Sequence, residues 1–249
     1  MNRTRYCIAN WKMNFTLSAS EEFLAKWRNK ALNNPRIKTI FCPSFTELFA
    51  IAGLMKTCSS ELGAQNVFHE SSGAFTGEVS ISMLGEIGCH WVIIGHSERR
   101  YILGESDEII QKKLQQILTS NLSPILCIGE TIDERNSGRT KTVLKRQLSK
   151  ACNNNNSASL NMLVIAYEPV WAIGTGVIAT NDMIAEAHYD IRSILRNNGL
   201  NGDGISILYG GSVSADNAAS LSEIEEVDGF LIGGASLDVE EYYSIYKQL

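Results

Sequence analysis

The sequence predicts an α/β fold, namely a closed eight-stranded parallel (β/α)8 barrel that forms one domain over residues 1–249. Three observations favour it: eight short apolar runs of strand length, amphipathic helical patterns between these runs, and a regular spacing. Dividing 249 residues by eight gives about 31 residues per unit, which is what a strand and its crossover helix need and is typical of closed barrels.

The eight predicted strands are apolar almost throughout and do not alternate cleanly with polar residues. Parallel strands that are buried on both faces have this pattern. In chain order the predicted strands are residues 6–9, 39–42, 62–65, 91–94, 125–128, 163–167, 205–209 and 230–232. The third unit is one weak point of this assignment, because residues 62–65 form a short run.

Three segments between predicted strands repeat apolar residues at helical spacing, so each presents one apolar stripe toward the strands. Only residues 215–221 are available for a helix between the seventh and eighth strands, so a doubly wound open sheet remains the alternative fold. The stripes are Leu48, Ile51, Ala52 and Met55; Ile110, Leu114, Ile117 and Leu118; and Ile184, His188, Ile191 and Leu195.

Composition narrows the class of protein. The chain is 44% hydrophobic, enough for one large core, and its net charge of −5 with no Lys/Arg block argues against a nucleic-acid or membrane-surface partner. Six scattered cysteines without a CxxC pair indicate reduced thiols. No apolar run has the length of a signal peptide or of a membrane span. We therefore expect a cytoplasmic protein.

Glu168 lies where the sixth predicted strand ends and a loop begins. Pro169 restricts Glu168 to an extended backbone, whereas Gly174 and Gly176 allow the far part of the loop to move and to approach a ligand. This arrangement predicts a catalytic base under a lid. A solvated surface glutamate is the alternative interpretation.

Polar side chains also follow other predicted strands. Asn10 and Lys12 follow the first strand, and His96 follows the fourth. Because the C-terminal ends of barrel strands open on one face, these groups should converge with Glu168. We interpret Lys12 as an anion-binding cation rather than a solvated surface charge. His96 begins a helical turn, where a backbone N–H bound to one ring nitrogen would keep the imidazole neutral.

Glycine pairs follow the last two predicted strands, where barrels commonly bind phosphate. Without side chains in the way, backbone N–H groups can surround an anion there, although such pairs are also found in ordinary turns. The residues concerned are Gly210, Gly211 and Ser212, and then Gly233 and Gly234.

One competing motif starts at Gly174, where residues 174–179 match the G-x-G-x-x-A dinucleotide fingerprint. That fingerprint needs its first glycine directly after a strand, but six residues separate Tyr167 from Gly174. No strand-end acid follows at the required distance, since Asp190 falls inside a helical stripe. We therefore discount a dinucleotide site.

Several sequence strings together resemble triosephosphate isomerase, in order along nearly the whole chain. The strongest are residues 10–14, 95–100, 167–176 and 209–213, and residues 64–66, 73–78, 127–130 and 233–237 add to them. The resemblance implies a TIM barrel enzyme of glycolysis and gluconeogenesis. It would interconvert dihydroxyacetone phosphate and D-glyceraldehyde 3-phosphate by proton transfer through an enediol(ate) intermediate.

The resemblance also implies catalytic roles. Glu168 would be the base that moves a proton between adjacent carbons, and His96 would polarise the carbonyl and shuttle protons between the oxygens. Lys12 and Asn10 would stabilise the enediolate. A neutral histidine and a closing loop are known features of this family. No metal or organic cofactor is implied.

The remaining implied residues bind phosphate, support the site or join subunits. The loop from Gly73 to Glu78 would dock into a second copy of the chain, which predicts a homodimer. Phosphate binding is implied for Gly174, Ser212, Gly233 and Gly234, and supporting roles for Glu98, Cys127, Tyr209 and, in the partner's active site, Thr76.

The sequence departs from the family pattern after the lid glycines. Val177 and Ile178 stand where many members have lysine and threonine, so the hinge that ends at Ala179 should be stiffer. The asparagine run from Asn153 to Asn156 reads as an exposed loop. Two rival functions remain open, a Schiff-base aldolase that uses Lys12 and a barrel that only binds phosphate or forms a structural dimer.

Overall fold

The computed structural model describes residues 3–30, 32, 34–153, 159–173 and 178–249. Within these residues, eight parallel strands pair in chain order and close into a barrel, because β1 pairs with both β2 and β8. The closed barrel is thus confirmed, and the open doubly wound sheet is wrong. The strands are β1 Arg5–Asn10, β2 Ile37–Cys42, β3 Glu61–Ala64, β4 Trp91–Ile94, β5 Ser123–Ile128, β6 Val164–Tyr167, β7 Ser206–Tyr209 and β8 Gly229–Ile232.

Helices lie between the strands, and several begin at a side chain that accepts a backbone N–H bond. Thr131, for example, forms a capping box with Glu134. The helices are α1 Leu17–Trp27, α2 Phe45–Met55, α3 Ile81–Glu86, α4 Ser97–Tyr101, α5 Asp107–Leu118, α6 Ile132–Asn136, α7 Thr140–Cys152, α8 Asn181–Asn197, α9 Ala218–Ser222 and α10 Val239–Tyr246. In the part of the chain that the structure describes, three 3-10 turns cover Ser159–Met162, Val170–Ala172 and Gly234–Leu237.

Strand side chains alternate between two apolar clusters, as a barrel requires. In β1, Tyr6 and Ile8 belong to a cluster that contains only strand residues, which is the barrel interior. Cys7 and Ala9 belong to the larger cluster between strands and helices. The hydroxyl of Tyr242 in α10 donates to the Cys7 carbonyl at 2.7 Å and so fastens the last helix to the first strand.

The predicted elements agree with the structure except at their ends. The apolar stripes of α2, α5 and α8 face the core, with Ile51, Leu114 and Ile191 fully buried. The sequence predicts Gln65 at the end of the third strand, but it lies just past β3, and its side chain donates to the Lys12 carbonyl after β1 and to the Cys42 carbonyl at the end of β2. Among the helices of the described residues, none has the length and apolar character needed to cross a membrane.

Two sequence predictions fall partly outside the described residues. Asn153 is exposed, but the rest of the asparagine run is not described. The same holds for Gly174 to Val177, which include one predicted phosphate-binding glycine and the start of the rear hinge.

Candidate active site

A cavity of about 270 Å³ opens at the C-terminal ends of the strands. It brings together the four predicted catalytic residues and three of the four predicted phosphate-binding residues, the fourth being Gly174. Its lining consists of Asn10, Lys12, His96, Glu168, Ile173, Gly210, Gly211, Ser212, Val213, Leu231, Gly233, Gly234 and Ala235.

Glu168 is held at the end of β6 from several directions. Its N–H donates to the Ile128 carbonyl at 2.7 Å, which continues the β5–β6 pairing by one residue. Its carboxylate accepts the Ser97 backbone N–H at 2.9 Å and faces Nε2 of His96 at 3.0 Å. Gly129 packs against it so closely that only glycine fits, since an added Cβ would lie 1.7 Å from the Glu168 carbonyl oxygen. A Cβ added to Gly210 would make a tight contact of 3.0 Å with the Glu168 Cγ.

The environment of Glu168 favours an ionised carboxylate. Burial alone would raise its pKa, because only 2% of the residue is exposed. The neighbouring His96, the Ser97 N–H and Lys12 act in the other direction, and the net pKa lies below the ordinary value. A buried, ionised carboxylate in a cavity can accept a proton from a bound molecule.

His96 forms the N-cap of α4, and its Nδ1 accepts the Glu98 backbone N–H at 3.3 Å. This bond leaves the proton on Nε2, the nitrogen that faces Glu168. Burial lowers the pKa of His96, but the carboxylate of Glu168 outweighs burial and raises the pKa above the ordinary value. The predicted hydrogen bond from the N-terminus of α4 to the imidazole is present. Because the Glu168 carboxylate favours the protonated imidazole, the neutral state of His96 stays a prediction.

Lys12 brings a cation into the cavity. Its Nζ lies 2.6 Å from a carboxylate oxygen of Glu98. A Cβ added to Gly233 would lie 3.6 Å from this nitrogen, so the glycine leaves room beside the ammonium group. Asn10 is buried, and its side-chain oxygen accepts the Lys12 backbone N–H at 3.1 Å.

Glycine, serine and alanine residues make up much of the rest of the cavity lining. The Ser212 hydroxyl donates to the Ala172 carbonyl at 2.7 Å and thereby links the loop after β7 to the segment after Glu168. An added Cβ at Gly234 would meet no heavy atom within 4 Å, so this backbone is open to a ligand. The buried hydroxyl of Tyr209 has no hydrogen-bond partner among the described residues.

The other predicted supporting residues occupy different positions. Cys127 is fully buried beside Glu168, and burial raises the pKa of its thiol well above the ordinary value. Thr76 is exposed on the loop after β3 and does not line the cavity. Among the residues that the structure describes, no group of three or more histidine, cysteine, aspartate or glutamate side chains could hold a metal ion.

A second cavity of about 320 Å³ lies next to the first and shares Asn10, Lys12 and His96 with it. Apolar side chains are exposed at this cavity, including Met13 at 94% and Leu103 at 62%. Its lining comprises Asn10, Lys12, Met13, Ser44, Phe45, Gln65, Asn66, His96, Glu98, Arg99 and Leu103.

Two residues near the site were given no role from the sequence. Gln65 donates from its amide to the Lys12 carbonyl at 2.8 Å. The fully buried carboxylate of Glu130 accepts hydrogen bonds from the Tyr167 hydroxyl at 3.1 Å and from the Trp171 indole at 3.0 Å. Gln65 ends the third predicted strand and Glu130 follows the fifth by two residues, a position that draws attention to both but does not show which groups they contact.

Comparison with known proteins assigns the family. A model of the triosephosphate isomerase family matches residues 5–249. The triosephosphate isomerase of Aquifex aeolicus is 44% identical, and the alignment covers 97% of this chain and 98% of that protein. That of Lawsonia intracellularis is 44% identical over 95% of both chains, and that of Endomicrobium trichonymphae is 41% identical over 96% of both. This chain belongs to the triosephosphate isomerase family.

Proposed function

We propose that this chain interconverts dihydroxyacetone phosphate and D-glyceraldehyde 3-phosphate in glycolysis and gluconeogenesis. Relatives of 44% identity over nearly the whole length carry the name triosephosphate isomerase. The observation that carries the proposal is the contact between Glu168 and His96, a buried carboxylate and an imidazole 3.0 Å apart in a cavity of about 270 Å³.

In this proposal Glu168 removes a proton from one carbon of the substrate and returns it to the neighbouring carbon. The lowered pKa of Glu168 keeps the base ionised at neutral pH. His96 donates its Nε2 proton to the carbonyl oxygen and passes protons between the two oxygens. A substrate oxygen would therefore replace Glu168 as the partner of Nε2.

Negative charge develops on the enediolate oxygens during this transfer. The Lys12 ammonium and the Asn10 amide line the same cavity and would stabilise that charge. Glu98 accepts from Lys12 and Cys127 packs beside Glu168, so both support the site without contacting the substrate.

The phosphate would be held by backbone N–H groups of Ser212, Gly233 and Gly234, together with Gly174 of the lid. An enediolate phosphate that is open to water can eliminate its phosphate, so the lid must exclude water. Tyr209, whose hydroxyl is buried beside Gly211, would contact the closed lid.

We also propose a cytoplasmic homodimer of single-domain chains. The second cavity would receive the loop from Gly73 to Glu78 of another copy, with Thr76 reaching toward Lys12. Exposed apolar side chains at this cavity support the proposal, because Met13 and Leu103 would be covered.

A coupled assay of glyceraldehyde 3-phosphate conversion on the purified chain tests the proposed reaction, with Glu168→Gln as the inactive control. We expect rapid turnover by the wild type and a loss of about 100-fold to 10,000-fold in the variant. Borohydride reduction with dihydroxyacetone phosphate should leave the protein mass unchanged. A lysine adduct would favour the aldolase, and a folded dimer without turnover would favour a barrel that only binds phosphate.

A further inference from the structure

The backbone of Lys12 has an unfavourable conformation. With φ at 53°, Lys12 is the only non-glycine residue with a positive φ among those that the structure describes. A residue with a Cβ adopts this conformation only when its surroundings hold it there. The ammonium group of this residue lies beside Gly233 and Glu98 in the cavity.

The peptide groups on both sides of Lys12 are bonded to side chains. The Lys12 N–H donates to the side-chain oxygen of Asn10 at 3.1 Å. The Lys12 carbonyl accepts from the Gln65 amide at 2.8 Å and from the Ser44 hydroxyl at the longer distance of 3.3 Å. Gln65 therefore makes the shorter of the two bonds to this carbonyl.

Gln65 uses the same amide nitrogen for a second bond, to the Cys42 carbonyl at 2.9 Å. Cys42 is the last residue of β2, so one side chain fastens the loop after β1 to the end of the neighbouring strand. Both amide protons are used, and only a donor can serve two carbonyl oxygens at once. A carboxylate of the same size would repel both.

We propose that Gln65 is a positioning residue for Lys12, which keeps the strained peptide in place and thereby sets where the ammonium group meets an anionic substrate. Gln65 does not line the substrate cavity, so it acts through Lys12 and not by contact with substrate. The inference rests on the isomerase reaction proposed above.

Gln65→Met and Gln65→Glu test the inference, and Gln248→Met is a matched control. Gln248 is also half-buried, and its amide nitrogen likewise donates to two carbonyls, those of Ala215 at 2.8 Å and Ser244 at 3.1 Å. It does not line either cavity at the C-terminal ends of the strands. If Gln65→Met and Gln248→Met lower the melting temperature or kcat/KM equally, that loss is therefore a general cost of removing an amide that bridges two carbonyls.

We expect both Gln65 variants to lower kcat/KM about tenfold and to raise the inhibition constant of inorganic phosphate by a similar factor, because a relaxed Lys12 peptide withdraws the cation. Gln248→Met should lower the melting temperature as Gln65→Met does but leave both constants within twofold of wild type. In a Lys12→Met background, Gln65→Met should change kcat/KM by less than twofold, because the group on which it acts is gone.

Folded Gln65→Met protein with wild-type kcat/KM and phosphate inhibition constants would overturn the inference, and so would an equal loss of kcat/KM in Gln248→Met. A loss of kcat/KM that disappears at high protein concentration would also overturn it, because the effect would then belong to subunit association. If the wild type converted no triose phosphate, the proposed function would fail instead. The effect of Gln65→Met on inorganic phosphate binding would then decide the positioning role.

Discussion

Replacing Gly129 by alanine should displace the proposed base without touching a proposed catalytic side chain. Gly129 follows β5, and an added Cβ would lie 1.7 Å from the Glu168 carbonyl oxygen and 2.6 Å from its carbonyl carbon. Gly129 cannot retreat easily, because its N–H donates to the Gln147 side chain at 2.8 Å and its carbonyl accepts from the same amide at 3.0 Å.

The expected magnitude follows from these distances. Ordinary contact begins at 3.4 Å, so the two backbones must separate by about 1.7 Å, the difference between 3.4 and 1.7 Å. A misplacement of about 1 Å at a reacting group costs about 100-fold in rate. We therefore expect Gly129→Ala to lower kcat/KM at least about 100-fold and to destabilise the fold by about 1–3 kcal/mol through overpacking.

The assay is steady-state isomerisation combined with urea unfolding, and Gly53→Ala is the control. Gly53 is exposed in α2, and an added Cβ there would meet nothing within 4 Å. Alanine at this helix position should stabilise the protein by about 0.5–1 kcal/mol and leave the activity unchanged. A folded Gly129→Ala protein with kcat/KM within threefold of wild type would refute the reasoning.

Two further predictions concern buried titratable groups. Burial lowers the pKa of His188 from 6.5 to about 4, so the native state resists a proton that the unfolded chain takes up. The free energy of unfolding should therefore fall by about 3 kcal/mol between pH 6.5 and 4, and urea titrations of His188→Gln should lack this component. Glu130→Gln should cost about 2–3 kcal/mol, because the carboxylate accepts from Tyr167 and Trp171 and pairs with Arg135 at 3.1 Å. Urea unfolding measures this cost, and a stability within 0.5 kcal/mol of wild type, about the range of an inconsequential surface substitution, would contradict it.

The sequence predicts well those strands and helices whose position is set by their own residues. Trp91–Ile94 was predicted without error because all four residues are apolar and buried. The ends of β1 and β2 were missed because Arg5 and Lys38 pair in the barrel despite their polar side chains. The apolar periodicity of a sequence cannot identify such residues, because pairing with the neighbouring strand is what places them in the sheet.

The residues of the candidate site show the same difference between features set by local sequence and features set by distant partners. Strand-end position predicts that Glu168, His96 and Lys12 lie together, and all three line one cavity because parallel strands bring their C-terminal ends to one face. The amide of Gln65 and the carboxylate of Glu130 could not be assigned in this way. Their partners lie 53 and 41 residues away in the chain, and only the closed barrel places them within hydrogen-bond distance.

Isomerisation in deuterium oxide tests the central claim most directly, namely that Glu168 carries a proton between adjacent carbons. Starting from dihydroxyacetone phosphate, the wild type should produce glyceraldehyde 3-phosphate with deuterium at C2, seen by proton NMR, because a base in the cavity exchanges with solvent. Glu168→Gln should lose turnover and deuterium incorporation together. Product without deuterium, as a hydride shift would give, or full incorporation by Glu168→Gln, would contradict the account.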